Sequence, residues 1–239
     1  MSPAPSHATV LLIGASRGLG HAMAAEYIER GARVVATVRG TGRTPLHDLA
    51  DTAGGRLEIE HADINEPAQV EALRHRLGDR LAGRTFDLLF VNAGVTQHDP
   101  ETTTADVSTE EFTRLMVTNA LSPVRVIETL GALVAADGTI AIMSSGQGSV
   151  ANNERGGFEI YRASKSALNQ LMRCYAARRR DDPRTLLLTA PGWVKTELGG
   201  PGARLTIGES IPSLVTTIDA QRGHGGLQYL DYRGETVAW

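Results

Sequence analysis

One cysteine, Cys174, stands in the whole chain of 239 residues. A lone thiol excludes an intrachain disulfide framework and any cysteine-rich metal site. The seven histidines show no spacing suited to metal ligands, so no metal is expected. No apolar run approaches the ~18–20 residues that span a bilayer. The opening "MSPAPSHATV" lacks the basic and apolar segments of a secretion signal. A cytoplasmic protein with no membrane partner is therefore expected. Charge of one sign is missing too: 24 Lys and Arg against 27 Asp and Glu leave a net −3. That removes both the basic field suited to nucleic acid and an acidic solvating tail.

What is present supports a large core. Hydrophobic residues make 41% of the chain and charged residues 21%. No repeat, low-complexity tract or linker divides it, so residues 1–239 are expected to form a single domain. Short apolar runs alternate with helix-like segments. Strands are predicted at Ala8–Gly14, Arg33–Val38, Arg56–Ala62, Phe86–Gly94, Gly138–Ser145, Arg184–Gly192 and Leu227–Asp231. Helices are predicted at Gly20–Gly31, at Glu66–Leu81, after a Ser108–Glu111 capping box, and from Tyr161 to about Arg180. The early strands are apolar on both faces, as in a parallel sheet covered by helices on each side. The predicted fold is α/β: a Rossmann-like, doubly wound parallel sheet in three α/β/α layers.

Three stretches carry the chemistry. The first strand runs into "GASRGLG", with Gly14, Gly18 and Gly20. Glycines between a strand and a helix let the backbone approach a phosphate at the helix N-terminus. The spacing is G-x-x-x-G-x-G rather than G-x-G-x-x-G, and alone it also fits an ordinary tight turn. In "YRASK", Tyr161 and Lys165 stand four apart on one helix face. A free phenol, with pKa ~10, exchanges protons poorly near neutrality. A neighbouring ammonium would lower that value. Taken alone, the pair also fits an exposed surface contact. Asn119 continues the helical stripe of Phe112, Leu115 and Met116, so its amide needs a buried partner. Pro123 lacks an N–H and would bend that helix.

The glycine spacing, "NAG" (Asn92–Gly94), Asn119, "SS" (Ser144–Ser145) and "YRASK" stand in one order along the chain. In that order they resemble the short-chain dehydrogenase/reductase superfamily over nearly the whole length. Within it, "SSGQGSVANNERGGFEIYRASKSALN", "PGWVKTELGGPGARLT" and "LQYLDYRGETVAW" are similar to the C-factor or sniffer-like carbonyl reductase branch. The long separation of Ser145 from Tyr161 is similar as well.

The resemblance implies a catalytic set of Asn119, Ser145, Tyr161 and Lys165, with Ser144 the competing serine. It implies cofactor contacts from Gly14, Ser16, Arg17, Gly18, Leu19 and Gly20. Further contacts are implied from Asp63, Ile64, Asn92, Ala93, Gly94, Tyr161 and Lys165, and from a closing segment with Pro191, Gly192, Val194 and Thr196. Asp63 reads equally well as a loop-capping residue. NADPH is the expected cofactor. No carboxylate stands at Val38 to accept ribose hydroxyls, whereas Arg39 and Arg17 offer charge to a 2′-phosphate. The glycine-rich segments Gly146–Ile160 and Leu198–Ile207 read as loops walling the substrate cleft. Gln147, Phe158 and Trp193 are expected to border it, alongside Ser145 and Tyr161. The expected function is reduction of a ketone, aldehyde or quinone by NADPH, with a small-molecule carbonyl or alcohol as the partner. An alcohol dehydrogenase, or a cofactor-binding signalling or scaffold protein, stands as the alternative. A homodimer or homotetramer is left open.

Overall fold

Five residues, Thr9–Ile13, form β1, and their side chains divide between two cores. Val10 and Leu12 pack with Met23 and Tyr27 of α1 (Gly18–Glu29) and Leu214 and Ile218 of α7 (Ile207–Ala220). Leu11 and Ile13 point the other way. They meet Leu73 and Leu77 of α3 (Pro67–Leu81) and Leu168 and Met172 of α6 (Glu159–Arg178). Side chains alternate across a strand, so a strand covered on both faces must be apolar throughout. Burying each such side chain contributes ~1.5–3 kcal/mol.

This is a computed structural model, and it describes residues 8–97, 99 and 101–239. The first seven residues of the stretch read for a secretion signal lie outside them. The described residues form a seven-stranded sheet in the order β3-β2-β1-β4-β5-β6-β7. Here β2 is Arg33–Val38, β3 Leu57–His61, β4 Phe86–Val91, β5 Val134–Met143, β6 Thr185–Ala190 and β7 Gly226–Asp231. All six neighbouring pairs are parallel. The order turns back between β1 and β4. In such sheets a crevice opens there, at the carboxyl ends of the strands.

The remaining helices are α2 (Pro45–Thr52), α4 (Thr109–Met116) and α5 (Ser122–Leu130). Neither α2 nor α7 was expected. Gly208 and Pro212 hide α7 from a propensity reading. Thr206 starts it all the same, through reciprocal bonds with Glu209. Between α4 and α5 the chain makes a π-helical turn, Val117–Leu121. Pro123 lies just beyond, where its missing N–H removes the bond to the carbonyl of Asn119. The expected bend is thus taken up as a widened turn. Phe112 is 41% exposed rather than core-facing, while Leu115 and Asn119 are fully buried. Among the described residues, no helix is long and apolar enough to cross a membrane.

Candidate active site

The glycine loop is braced from both neighbouring strands. The Gly14 N–H donates to the Thr37 hydroxyl at the end of β2, 2.9 Å. The Ala15 N–H donates to the Thr37 carbonyl, also 2.9 Å. From β4, the Asn92 amide donates to the Gly14 carbonyl at 2.8 Å. Thr37 is fully buried, and nothing in its local sequence distinguished it. Gly20 sits under this brace. A Cβ there would lie 2.2 Å from the Gly14 carbonyl oxygen and 2.6 Å from the Asn92 amide nitrogen. Gly20→Ala is accordingly expected to cost ~1–3 kcal/mol, as overpacking of a tight site does. A thermal melt checks it, and an unchanged Tm would show that the loop yields freely.

Asn119 joins three elements. Its Oδ1 accepts from the Val95 N–H, and its Nδ2 donates to the Val95 carbonyl, both at 2.8 Å. The same Nδ2 donates to the Ser164 hydroxyl at 2.9 Å. Ser164 in turn donates to the Tyr161 carbonyl at 2.8 Å. The widened turn thereby ties the segment after β4 to the first turn of α6. Gln97, buried and not singled out by the sequence, completes the tie by accepting from the Tyr161 N–H at 3.1 Å.

The two serines after β5 part company. Ser144 is buried, and its hydroxyl donates to Asn169 Oδ1 at 2.7 Å. Ser145 is only partly buried; its hydroxyl accepts from the Gln147 N–H at 3.2 Å and stands near enough to Tyr161 to lower that phenol's pKa. Lys165 is 3% exposed and donates to the Met143 carbonyl at 2.9 Å. Its Nζ lies 5.9 Å from the centre of the Tyr161 ring.

The electrostatics depart from the sequence reading. Burial pushes the Tyr161 hydroxyl up to about 12, Ser145 pulls it partly back, and Tyr229 adds to the rise. Burial also brings Lys165 down to about 8. The expected lowering of Tyr161 by Lys165 is thus overturned. The ammonium is turned to a backbone carbonyl rather than to the phenol oxygen, and desolvation dominates both groups.

A sequence pattern described as short chain dehydrogenase matches residues 8–203. The chain belongs to this family. It is an oxidoreductase of the short-chain dehydrogenase type. The crystal structure of a short-chain dehydrogenase/reductase from Burkholderia multivorans with bound NADP is 60% identical. That match covers 97% of this chain and 99% of that one, with a TM-score of 0.93. A carbonyl reductase from Pseudomonas aeruginosa PAO1 in complex with NADP is 36% identical. It covers 98% of this chain and 100% of that one, with a TM-score of 0.87. The C-signal of Myxococcus xanthus is 34% identical over 155 residues, which are 64% of this chain and 92% of that protein.

Around the crevice of this short-chain dehydrogenase, several charges already have partners. Arg17 Nη1 lies 2.7 Å from Glu197 Oε2, so the glycine loop touches the segment after Thr196. Arg39 Nε lies 3.9 Å from Asp63 Oδ2 across the ends of β2 and β3. Asp63 also accepts from the Asn65 N–H at 2.9 Å, the loop-capping role that the sequence left open. The Ile64 side chain is in the core, which leaves only its backbone to a ligand. The Pro191 carbonyl accepts from Ser210, and the Thr196 hydroxyl accepts from the Gly199 N–H at 3.0 Å. Val194 is buried.

Gln147, Phe158 and Trp193, expected to border the substrate cleft, lie after β5, before α6 and after β6. Gln147 lies in a 3-10 turn, Gly146–Gly148, directly after Ser145. Phe158 precedes α6 with a left-handed backbone, φ 51°. Trp193 is half exposed, and its indole N–H donates to the Gly199 carbonyl at 2.7 Å. Among the described residues no group of three or more His, Cys, Asp or Glu is placed to hold a metal ion. Cys174 is exposed.

Proposed function

We propose that this short-chain dehydrogenase reduces a ketone, aldehyde or quinone carbonyl with NADPH, and that Tyr161 is the general acid. The observation that carries the reading is the placement of Ser145, at the carboxyl end of β5, near the Tyr161 phenol, with buried Lys165 on the same helix face 5.9 Å from the Tyr161 ring. The cofactor fits the residues present. Gly18, at φ +58° with open space beyond it, begins α1, whose first N–H groups have no intrahelical partner. These would hold the pyrophosphate. Asn92, Ala93 and Gly94 follow β4, and Pro191, Gly192 and Thr196 follow β6, on either side of β5 in the sheet; the nicotinamide half would rest there.

When bound, NADPH supplies the hydride that arrives at the carbonyl carbon. Tyr161 gives its proton to the carbonyl oxygen, and Ser145 donates a hydrogen bond to the same oxygen. A phenol held near 12 keeps its proton at neutral pH and is ready to donate it. Lys165 would hold the nicotinamide ribose and would keep positive charge beside the phenolate that forms. Asn119 holds the start of α6, and Tyr161 with it, in place.

The pH profile follows from the two shifts. Lys165, lowered to about 8, loses its charge as pH rises through that value. Tyr161 does not titrate until about 12. The kcat/KM for carbonyl reduction is therefore expected to fall above about pH 8, and Lys165→Arg to move that fall upward. A wild-type profile flat well beyond pH 8 would remove Lys165 as the controlling group.

A second reading, a cofactor-binding signalling protein with little turnover, is supported by the likeness to C-signal. A panel of carbonyl compounds, followed by NADPH absorbance, separates the two. Turnover supports the reductase. Tight NADPH binding with no turnover on any compound supports the signalling protein.

A further inference from the structure

Tyr229 lies in β7, beyond the residues 8–203 that the family pattern matches. Its ring is 1% exposed, in the core beneath α6, and it is paired in register with Leu188 of β6. Its hydroxyl donates to the backbone carbonyl of Ser145, 84 residues away in sequence. That carbonyl also accepts from the Gly148 N–H at 2.8 Å, which closes the turn after the serine. Both lone pairs of the carbonyl are thus used. Burial raises the Tyr229 pKa above its ordinary 10, with the Asn169 and Ser144 side chains pulling it back, so the hydroxyl keeps the proton it donates.

The surroundings hold the same turn from other sides. Asn169 donates to the Gly148 carbonyl at 3.1 Å and accepts from Ser144. Ser166 donates to the Gly148 carbonyl at 3.0 Å. Trp239 packs against Tyr229, with ring centres 5.4 Å apart, and accepts from the Ala151 N–H at 3.0 Å. Among the described residues the Ser145 hydroxyl, by contrast, has one hydrogen-bond partner, the Gln147 N–H at 3.2 Å, with the Tyr161 phenol nearby. Its aim depends on the peptide that carries it.

We propose that Tyr229 is a positioning residue: by holding the Ser145 carbonyl it fixes the peptide plane of the serine and so aims its hydroxyl at the substrate's carbonyl oxygen. The proposal rests on the reductase reading above. A hydrogen bond of this kind has a net worth that translates to about 2- to 10-fold in rate. Tyr229→Phe keeps the ring in the core and removes only the donor. It is expected to lower kcat about 2- to 10-fold, with the Kd for NADPH measured by fluorescence titration unchanged. In a Ser145→Ala background the same change is expected to have no further effect, because the group being aimed is gone.

A merely structural role would lower activity equally in both backgrounds, and that result overturns the proposal. So does an unchanged kcat in Tyr229→Phe, or a loss seen in Kd rather than in kcat. If Ser145→Ala alone retains wild-type kcat, the reductase reading of Ser145 has failed, and this proposal with it. If Ser145→Ala loses activity while Tyr229→Phe does not, only the proposal has failed.

Discussion

Replacing Tyr161 by phenylalanine is expected to lower the reductive kcat by about 10²–10⁴-fold, the usual contribution of a general acid. The substitution deletes one oxygen. Tyr161 is held by its backbone, through Gln97 to its N–H and Ser164 to its carbonyl, so phenylalanine keeps the same position. Fold and NADPH binding should therefore be nearly unchanged, and the loss should fall on kcat. Ser145 would still bond the carbonyl oxygen, which leaves residual activity. Lys165→Ala should behave differently and weaken both the cofactor's Kd and the rate. Steady-state kinetics on a verified substrate, beside a fluorescence titration with NADPH, make the comparison. Wild-type kcat in Tyr161→Phe would show that another group protonates the substrate.

Removing the guanidinium of Arg39 is expected to raise the KM for NADPH roughly 10–100-fold and to leave NADH kinetics almost unchanged. The arithmetic is that of a hydrogen bond to a charged group, ~1.5–3 kcal/mol. The structure alters the picture in one respect. Arg39 is already 3.9 Å from Asp63, and Arg17 is in contact with Glu197. Both arginine side chains are about 70% exposed: 72% for Arg39 and 70% for Arg17. Exposed pairs of this kind contribute ~0–1 kcal/mol. A 2′-phosphate, which carries more charge and accepts from a guanidinium in a forked geometry, is expected to outcompete a single carboxylate at that separation. Val38 at the end of β2 adds no repulsion. Equal kcat/KM for NADPH and NADH in the wild-type enzyme would defeat the preference, whatever Arg39→Ala does.

The parts of this molecule that were legible from the chain are those with local causes. The run "TVLLI" is apolar because both faces of β1 are covered, and that alternation of burial is written in consecutive residues. The glycines at 14, 18 and 20 mark a strand-to-helix turn within seven positions. Tyr161 and Lys165 share a helix face because they are four residues apart. From such signals come the parallel sheet, the crevice and the set of residues around it. The rest depended on groups that meet only after folding. Ser144 went into the core because Asn169 accepts its hydroxyl, which leaves Ser145 as the partly exposed serine of the pair. Arg17 found Glu197, 180 positions along the chain. The sign of the Tyr161 shift went opposite to the local expectation, because desolvation by the surrounding fold outweighs an ammonium that faces another acceptor. Tyr229 reaches Ser145 from a strand two places away in the sheet. Spacing along a chain records which side chains share a face. Burial, and the partner on the far side of a core, are properties of the packed whole.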